Sequence, residues 1–447
     1  MTRCGNQQTE GAPLRTPSGF VFVALFGALT SAGSLVAQTT NDAPPLTLAD
    51  ALQIAVIENP ELAGLRSKIE AMRERPAQAR ALPNPMATYS GMDSVDSGRW
   101  PYTAEKRLMV QQEFPWFGKR ELRERLATKD AEAAQHDLDI AALDVVLQVK
   151  ENFYGLYAVQ RVRDVIRSEQ EVLGHMVKAA ETRYATGSAP QSDAIKAQTE
   201  ATVLKQKLWE LQAQENTLKA KLNALLNRRA DEPFGPLAAP PAPDLGRTNN
   251  VSALFATAAT NRPEVLAAQT QIDRYALQAR LMEKEAYPDY KLGLEYRGID
   301  AENDMLMFTV SVELPIRETK YQAAVREAEY LREASEAARA SAERQSELEV
   351  QDAQFKLLNA RRTLDLYQGE LLHQAEARFK ASETSYRTGQ ADFLDLLESE
   401  RMLLNIRTMA AQTEGEVGAA AARLERAIGI NAFALTSEGA RAKGRRP

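Results

Sequence analysis

The sequence contains one module twice, and this duplication constrains the fold more than any other feature. The segment ETRYATG at Glu181–Gly187 returns as ETSYRTG at Glu383–Gly389, about 200 residues later. Further pairs follow in the same order at nearly the same spacing: Asn59-Pro60-Glu61 with Arg262-Pro263-Glu264, Glu113-Phe114-Pro115 with Glu313-Leu314-Pro315, and Asp193 with Asp395. Periods of about 20–50 residues indicate a solenoid, whereas this longer period indicates a duplicated module. The fold must therefore have two-fold internal similarity.

The composition favours long helices and argues against nucleic-acid binding. The 447 residues have a formal net charge of −6, so the sequence gives no sign of the basic surface that nucleic acids require. Aromatic residues make up only 6%, whereas Ala, Glu, Leu, Arg and Gln are frequent. This bias is typical of long helices rather than of a bulky globular core.

Residues 1–37 are predicted to be a signal peptide. Arg3 and Arg15 precede the apolar run Phe20–Leu29, and small residues follow as far as Ala37. A membrane anchor is the alternative, but the run is shorter than the ~20 residues that a spanning helix needs. The only cysteine, Cys4, precedes the run, so we expect no disulfide in the mature protein.

The positions of proline predict very long helices. No proline lies between Pro115 and Pro190, or between Pro315 and Pro447. Because proline inside a helix costs ~3 kcal/mol or more, each gap can hold a long helix. The segment from Ile316 to about Lys380 is predicted to be one continuous helix of roughly 100 Å. Such a helix fits an elongated assembly, and an ordinary long coiled coil is the alternative.

Each half also contains two short stretches in which polar and apolar residues alternate, which is the period of a β-strand. These predict strands at about 86–92, 107–114, 290–297 and 305–314. Their length is close to the ~9–11 residues of a transmembrane strand. The predicted lipid-facing residues share one face of the second pair: Leu292, Leu294, Leu306, Phe308, Val310 and Val312.

Four strands are too few to close a transmembrane barrel. Open sheet edges do not occur in the hydrocarbon of a bilayer. Three chains would together supply twelve strands, an even number within the range of outer-membrane barrels. The sequence therefore predicts a homotrimer that shares one barrel in outer-membrane lipid. A soluble hairpin that caps a helical bundle is the alternative.

The sequence shows no catalytic or metal-binding constellation. His136, His175 and His373 are far apart and have no metal-ligand spacing. Met305 and Met307 could contact a soft metal, but strand packing explains them as well. We therefore expect neither an enzyme nor a cofactor.

The two repeated turns are predicted to be the tips of helical hairpins. Tyr184–Gly187 and Tyr386–Gly389 each end a helix with glycine, the usual left-handed cap. A new helix follows, with Asp193 or Asp395 near its start. Ordinary turn chemistry explains the glycines but not the matching tyrosines and aspartates.

With these motifs, the chain resembles the TolC-like outer-membrane efflux proteins, the outer-membrane factors of tripartite pumps. The resemblance rests on the duplication, on Leu48–Leu52 with Asn59-Pro60, and on Arg183-Tyr184-x-x-Gly187 followed by Asp193–Gln198. The second copy departs from the tip signature at Glu398-Ser399-Glu400. The segment Gln112–Lys119 resembles the strand-to-helix junction of members that serve heavy-metal efflux pumps.

The resemblance implies a mainly α fold with a small β part. Duplicated long-helix hairpins would form a periplasmic α-barrel tunnel, and four strands per chain would contribute to a trimeric twelve-stranded outer-membrane β-barrel. The protein would be a passive exit duct in a Gram-negative-type outer membrane. Its partners would be a periplasmic adaptor protein and an inner-membrane pump, with the RND class as the candidate. A periplasmic coiled-coil adaptor or scaffold without a channel is the alternative.

Residue matching to this family implies two sets of tip residues. The periplasmic gate would contain Asp395, Glu398, Tyr386, Asp193 and Arg387. The adaptor-docking tips would contain Arg183, Tyr184, Thr186, Gly187, Thr388 and Gly389. The family has a basic residue two positions after the second tip glycine, where this chain has Ala391; Arg387 would replace it.

The predicted organisation has five segments. The signal peptide, 1–37, is followed by a first repeat at 38–230 and a second repeat at 248–430. A linker with five prolines, 231–247, separates the repeats and is expected to be extended and external. Residues 431–447 are expected to form a loose tail.

Overall fold

The computed structural model describes residues 45–92, 105–233, 235–241, 250–299 and 304–430. The predicted signal peptide and tail, and part of the linker, lie outside these residues. In the first repeat, the helices are α1 (Leu48–Glu58), α2 (Pro60–Arg73), α3 (Arg75–Arg80), α4 (Lys119–Ala185) and α5 (Gln191–Leu225). At 1.5 Å per residue, the 67 residues of α4 extend for roughly 100 Å.

The second repeat has the corresponding order of helices. They are α6 (Val251–Asn261), α7 (Pro263–Glu285), α8 (Glu318–Leu366), α9 (Leu372–Arg387) and α10 (Phe393–Ile428). A π-helical turn, Tyr367–Leu371, joins α8 to α9. The prediction of one uninterrupted α-helix from Ile316 to Lys380 is therefore wrong in detail. The turn contains Gly369, whose lack of a side chain weakens the local preference for an α-helix.

The repeated Asn-Pro-Glu and Arg-Pro-Glu motifs start equivalent helices in different ways. Oδ1 of Asn59 accepts a hydrogen bond from the backbone N–H of Glu61 (2.9 Å), which caps α2. An arginine cannot accept such a bond. Arg262 instead directs its guanidinium to Glu264 (3.1 Å) and to Glu349 on α8. The second motif thus links the start of α7 to α8, and its first side chain does not cap α7.

Four strands form one antiparallel sheet in the order β1 (Met86–Met92), β2 (Glu105–Phe114), β3 (Tyr290–Ile299) and β4 (Met305–Val312). The pairing of β2 with β3 joins the hairpins of the two repeats. Both of these strands extend two residues beyond the predicted 107 and 297, because Glu105 and Ile299 pair with each other. β4 ends at Val312, short of the predicted 314, because its partner β3 begins opposite it at Tyr290.

The helices pack around α4 and α10. α4 contacts α5, α7 and α10, and α10 also contacts α8 and α9. At Gly418, α10 leaves no room for a side chain, because an added Cβ would overlap the ring of Tyr154 on α4. One buried cluster contains Val162 on α4 together with Phe393 and Ala411 on α10. The two repeats therefore share a hydrophobic core along these two helices.

The linker is less external than its composition predicts. Leu46 donates its backbone N–H to the oxygen of Pro236 (3.0 Å), and Ala238 donates to the oxygen of Leu46 (3.1 Å). The side chain of Leu237 packs against the buried cluster that contains Leu48 and Leu62. Leu237 is half-buried because its apolar side chain gains contacts with this cluster, while the other described linker residues are exposed or half-buried.

Candidate channel surfaces

The predicted lipid-facing residues lie on one face of the sheet and form continuous cross-strand rows. Val110, Leu294 and Phe308 lie side by side in one row, and Leu292 pairs with Val310 in the next. In the isolated chain these side chains are largely uncovered: Phe308 is 68% exposed and Leu306 is 71% exposed. A broad apolar face of this kind is expected to be covered by lipid or by another protein surface.

The opposite face of the sheet is polar and charged. Arg297 contacts Glu105 (3.0 Å) and Glu295 (3.3 Å), and Arg107 also contacts Glu105 (2.6 Å). Lys291 contacts Glu113 across the strands (3.2 Å). The remaining residues of this face include Thr88, Met109, Met307 and Thr309. One apolar face and one polar face are the pattern of strands that separate lipid from a water-filled interior.

Both outer strands of this sheet have a free edge. β1 and β4 are at the two ends of the strand order, and in the described part of the chain neither has a second partner. A transmembrane sheet with free edges would leave backbone N–H and C=O groups unpaired in hydrocarbon. A single copy of the chain therefore cannot complete such a barrel.

A buried lysine fixes the junction between the strands and the long helices. The side chain of Lys119 is 2% exposed, and its Nζ contacts Oδ1 of Asp289 (2.8 Å) and Oε2 of Glu285 (3.3 Å). It also donates to the backbone oxygen of Tyr287 (3.0 Å). Oδ1 of Asp289 additionally accepts from the backbone N–H of Trp116 (2.6 Å). The start of α4 is thus bound to the segment between α7 and β3.

Sequence reasoning identified the motif around Lys119 only by resemblance and missed its acceptors. The acidic residues Glu285 and Asp289 are in the other repeat and have no recognisable spacing to Lys119. The available signal was a lysine placed between a strand that ends at Phe114-Pro115 and a helix that begins after Gly118. A lysine at such a turn must find acceptors if it is buried.

The two predicted tips lie next to each other. The guanidinium of Arg183 is 4.5 Å from the ring centroid of Tyr386, and its Nη1 donates to the backbone oxygen of Tyr386 (3.4 Å). Gly187 and Gly389 adopt positive φ of 70° and 76°, which lets the backbone reverse direction after α4 and after α9. Tyr184, Thr186 and Thr388 are exposed around these turns. The predicted docking residues therefore form one polar surface.

The predicted gate residues differ in how the chain places them. Asp395 and Glu398 are exposed and, at positions i and i+3, lie on one side of α10. Arg387 is exposed at the end of α9. Asp193 is buried at the start of α5, where Lys196 approaches it (3.5 Å). The side chains of Asp395 and Glu398 are therefore exposed to solvent at the second tip.

Tyr386 and Asp193 do not form a hydrogen bond with each other in the single chain. The hydroxyl of Tyr386 is buried and has no partner among the described residues. Its ring packs edge-on against Phe393, with centroids 5.6 Å apart. The network that would hold the mouth closed is therefore not assembled within one copy.

Comparison with known proteins identifies the family. The family model described as outer membrane efflux protein matches the chain twice, at residues 51–228 and 254–430. The chain belongs to the outer membrane efflux protein family. It is a TolC-like outer-membrane channel of tripartite efflux systems, which extends into the periplasm. The alternative of a periplasmic adaptor or scaffold without a channel is therefore wrong.

One curated relative and several solved structures resemble most of the chain. The cobalt-zinc-cadmium resistance protein CzcC of Cupriavidus metallidurans is 25% identical over 87% of this chain and 91% of its own. The outer membrane protein VceC from Vibrio cholerae has a TM-score of 0.70 at 19% identity, covering 86% of this chain and 96% of its own. The outer-membrane channel OprN has a TM-score of 0.73 at 17% identity, covering 86% and 90%.

None of the helices in the described residues is long and apolar enough to cross a membrane. No group of three or more His, Cys, Asp or Glu side chains in the same residues is arranged to hold a metal ion.

Proposed function

We propose that three copies of the chain form one passive exit duct, in which the strands share a twelve-stranded barrel. The free edges of β1 and β4 carry this proposal, since each must be paired before the sheet can enter hydrocarbon. The predicted lipid face, which includes Leu292, Leu306 and Val312, would then cover the outside of the barrel. The charged row with Arg107 and Arg297 would face its water-filled interior. In this proposal, each copy contributes two repeats, at residues 38–230 and 248–430.

The helical tips would form the regulated mouth of the duct. The surface around Arg183, Tyr184 and Gly187, with Thr388 and Gly389, would dock a periplasmic adaptor. Three copies of Asp395 and Glu398 would surround the entrance, with Tyr386, Asp193 and Arg387 in the contacts that close it. The protein would move its cargo without catalysing a reaction, because the energy would come from an inner-membrane pump, with the RND class as the candidate.

Recording in planar lipid bilayers tests this function. The purified protein should conduct ions without a nucleotide or another energy source, and its resting conductance should be low because the mouth is closed. The variant Val310→Arg, which should fail to insert, controls for currents from detergent or contaminants. Folded protein that is integrated in the bilayer but never conducts would contradict the channel.

We further propose that the exported cargo is divalent heavy-metal cations. Support comes from the relative named for cobalt, zinc and cadmium resistance, which aligns over most of both chains. Deletion of the gene should lower tolerance of these three metals and leave tolerance of an organic cationic drug unchanged. Restoration by the wild-type gene, and not by Val310→Arg, would attribute the loss to the channel. Lost drug tolerance with normal metal tolerance would contradict this cargo.

A further inference from the structure

Three buried carboxyl groups meet inside the helical bundle, behind the tips. Glu169 on α4 is 3% exposed, Glu200 on α5 is 8% exposed and Glu400 on α10 is 2% exposed. This burial occurs within one chain and does not depend on neighbouring copies. Carboxylates are rarely buried to this degree unless each is paired with a cation or has taken up a proton.

The cations available to this cluster are too few for three carboxylates. Arg401 pairs with Glu200, and Arg407 approaches Glu169 (3.7 Å) while it also pairs with the exposed Glu376 on α9 (3.1 Å). Among the described residues, no donor reaches the buried Oε1 of Glu400. The two guanidinium groups balance Glu169 and Glu200, so the cluster is neutral only when Glu400 carries a proton.

The electrostatics of the site agree with this count. Burial, and then the hydrogen bond and charge of Glu169, raise the pKa of Glu400 to about 9; Glu200 raises it further, and only Arg401 opposes the shift. At neutral pH, Glu400 is therefore a carboxylic acid within hydrogen-bonding reach of the Glu169 carboxylate. A protonated carboxyl group has one O–H donor, which can bond to that acceptor.

The internal repeat shows which side chain occupies the corresponding position of the other half. The position of Glu400 corresponds in the first repeat to Gln198, which is also in the helix that follows a tip. Nε2 of Gln198 donates to Oε1 of Glu181 on α4 (2.8 Å). An amide and a carboxylic acid have similar shapes, and both can donate to a carboxylate. This first-repeat contact is exposed and lies within one hairpin, whereas Glu400 is buried and meets Glu169 of the other repeat.

We propose that Glu400 and Glu169 form a proton-dependent latch that ties the second helical tip to the first. With the proton present, an O–H···O hydrogen bond joins α10 to α4. Loss of the proton leaves two adjacent carboxylates, with Glu200 as a third nearby, and their repulsion separates the helices. The bearing of the latch on channel opening rests on the proposed function, but its effect on folding does not.

The sign of the pH dependence follows from the raised pKa. Unfolded chains release the proton of a glutamic acid near pH 4.5, whereas the folded protein keeps it until about pH 9. The stability that this group contributes is therefore complete below about pH 4.5 and is lost as pH rises towards about 9. For one retained proton, the unfolding equilibrium constant rises by up to about tenfold per pH unit in this window.

The experiment compares the pH dependence of unfolding for the full-length protein in detergent. The variants are Glu400→Gln, which keeps a neutral donor, and Glu416→Gln, which removes an exposed acid from the same helix. Between about pH 5 and pH 8, the Glu400→Gln variant should have a slope that is smaller by about one proton. The Glu416→Gln variant should keep the wild-type slope. Equal slopes in wild type and Glu400→Gln would overturn the latch.

Infrared spectroscopy gives a second readout that a purely structural role would not affect. At neutral pH, the carbonyl band that the protonated carboxyl group of Glu400 gives in wild type should be absent from Glu400→Gln. A band that persists in Glu400→Gln at its full wild-type intensity would overturn the latch, even if one variant folds poorly. Changed slopes in a protein that never conducts would count against the channel and leave the latch standing.

Discussion

Different kinds of contact stabilise the two ends of the molecule, the strand end and the tip end. At the strand end, the ammonium group of Lys119 is buried and is satisfied by two acidic partners and a backbone acceptor. At the tip end, one partly exposed arginine packs on Tyr386, and the acids Asp395 and Glu398 face outward. We therefore expect the strand end to stay fixed and the tip end to rearrange at a low free-energy cost.

The largest effect should come from a charge on the apolar face of the sheet. Val310→Arg should abolish insertion into the outer membrane, because an arginine at the midplane of a lipid-facing strand costs ~2–4 kcal/mol per copy. Thr309→Arg places the same charge on the polar face and should be tolerated. Membrane fractionation after expression at equal levels measures both. Equal insertion of the two variants would show that the faces are assigned incorrectly.

The next effect tests the fixed junction. Lys119→Met keeps the length of the side chain but leaves Asp289 and Glu285 without their buried cation. The cost should be about 2–3 kcal/mol, below the ~3–5 kcal/mol for fully buried pairs, because both acids retain some contact with water. Thermal or denaturant unfolding in detergent measures the change.

The matched control for the junction is Lys129→Met on the same helix. Lys129 is partly exposed and contacts Glu132 and Asp273, so its loss should cost less than about 1 kcal/mol. A Lys119→Met variant that is as stable as this control would mean that the buried contacts of Lys119 do not stabilise the junction.

At the tips, we expect changes in opening rather than in folding. Tyr386→Phe removes a hydroxyl that has no partner within the described chain, so the fold of a single copy should be unaffected. Together with Asp193→Ala, it should raise the resting conductance in planar bilayers, because the closed mouth loses contacts between copies. Tyr330→Phe, at an exposed position on α8, serves as the control. Unchanged resting conductance in the double variant would remove these two residues from the gate.

The smallest effect should be on ion selectivity. Asp395→Ala with Glu398→Ala removes the predicted acidic rings and should reduce both cation selectivity and block by multivalent cations from the periplasmic side. Glu333→Ala with Glu336→Ala removes equal charge from an exposed face of α8. Reversal potentials in a salt gradient measure the change. If both pairs leave selectivity and block at wild-type values, Asp395 and Glu398 do not line the pore.

Features with a local pattern could be predicted from the sequence. The alternation around Phe308 and Val310 predicted the sheet face, and the repeated glycines at 187 and 389 predicted the two tips. The mainly helical architecture followed from the long stretches without proline. Each of these signals depends on residues that are close together in the chain, where spacing and side-chain type determine the local backbone.

Features that depend on distant residues could not be predicted. Lys119 and Asp289 are far apart in sequence, as are Glu169 and Glu400, and only the packing of α4 against the second repeat brings them together. The contact of Leu237 with the cluster around Leu48 likewise depends on tertiary packing. The sequence around a charged helical residue does not show whether its side chain will be buried against a partner or exposed to solvent.

The mass of the assembled protein tests the central claim most directly. Full-length protein extracted from outer membranes in mild detergent should have the mass of three chains after the bound detergent is subtracted, because only further copies can pair the free edges of β1 and β4. The Thr309→Arg variant, which should assemble normally, should have the same mass. A stable monomer that inserts into bilayers and conducts ions would contradict the shared barrel.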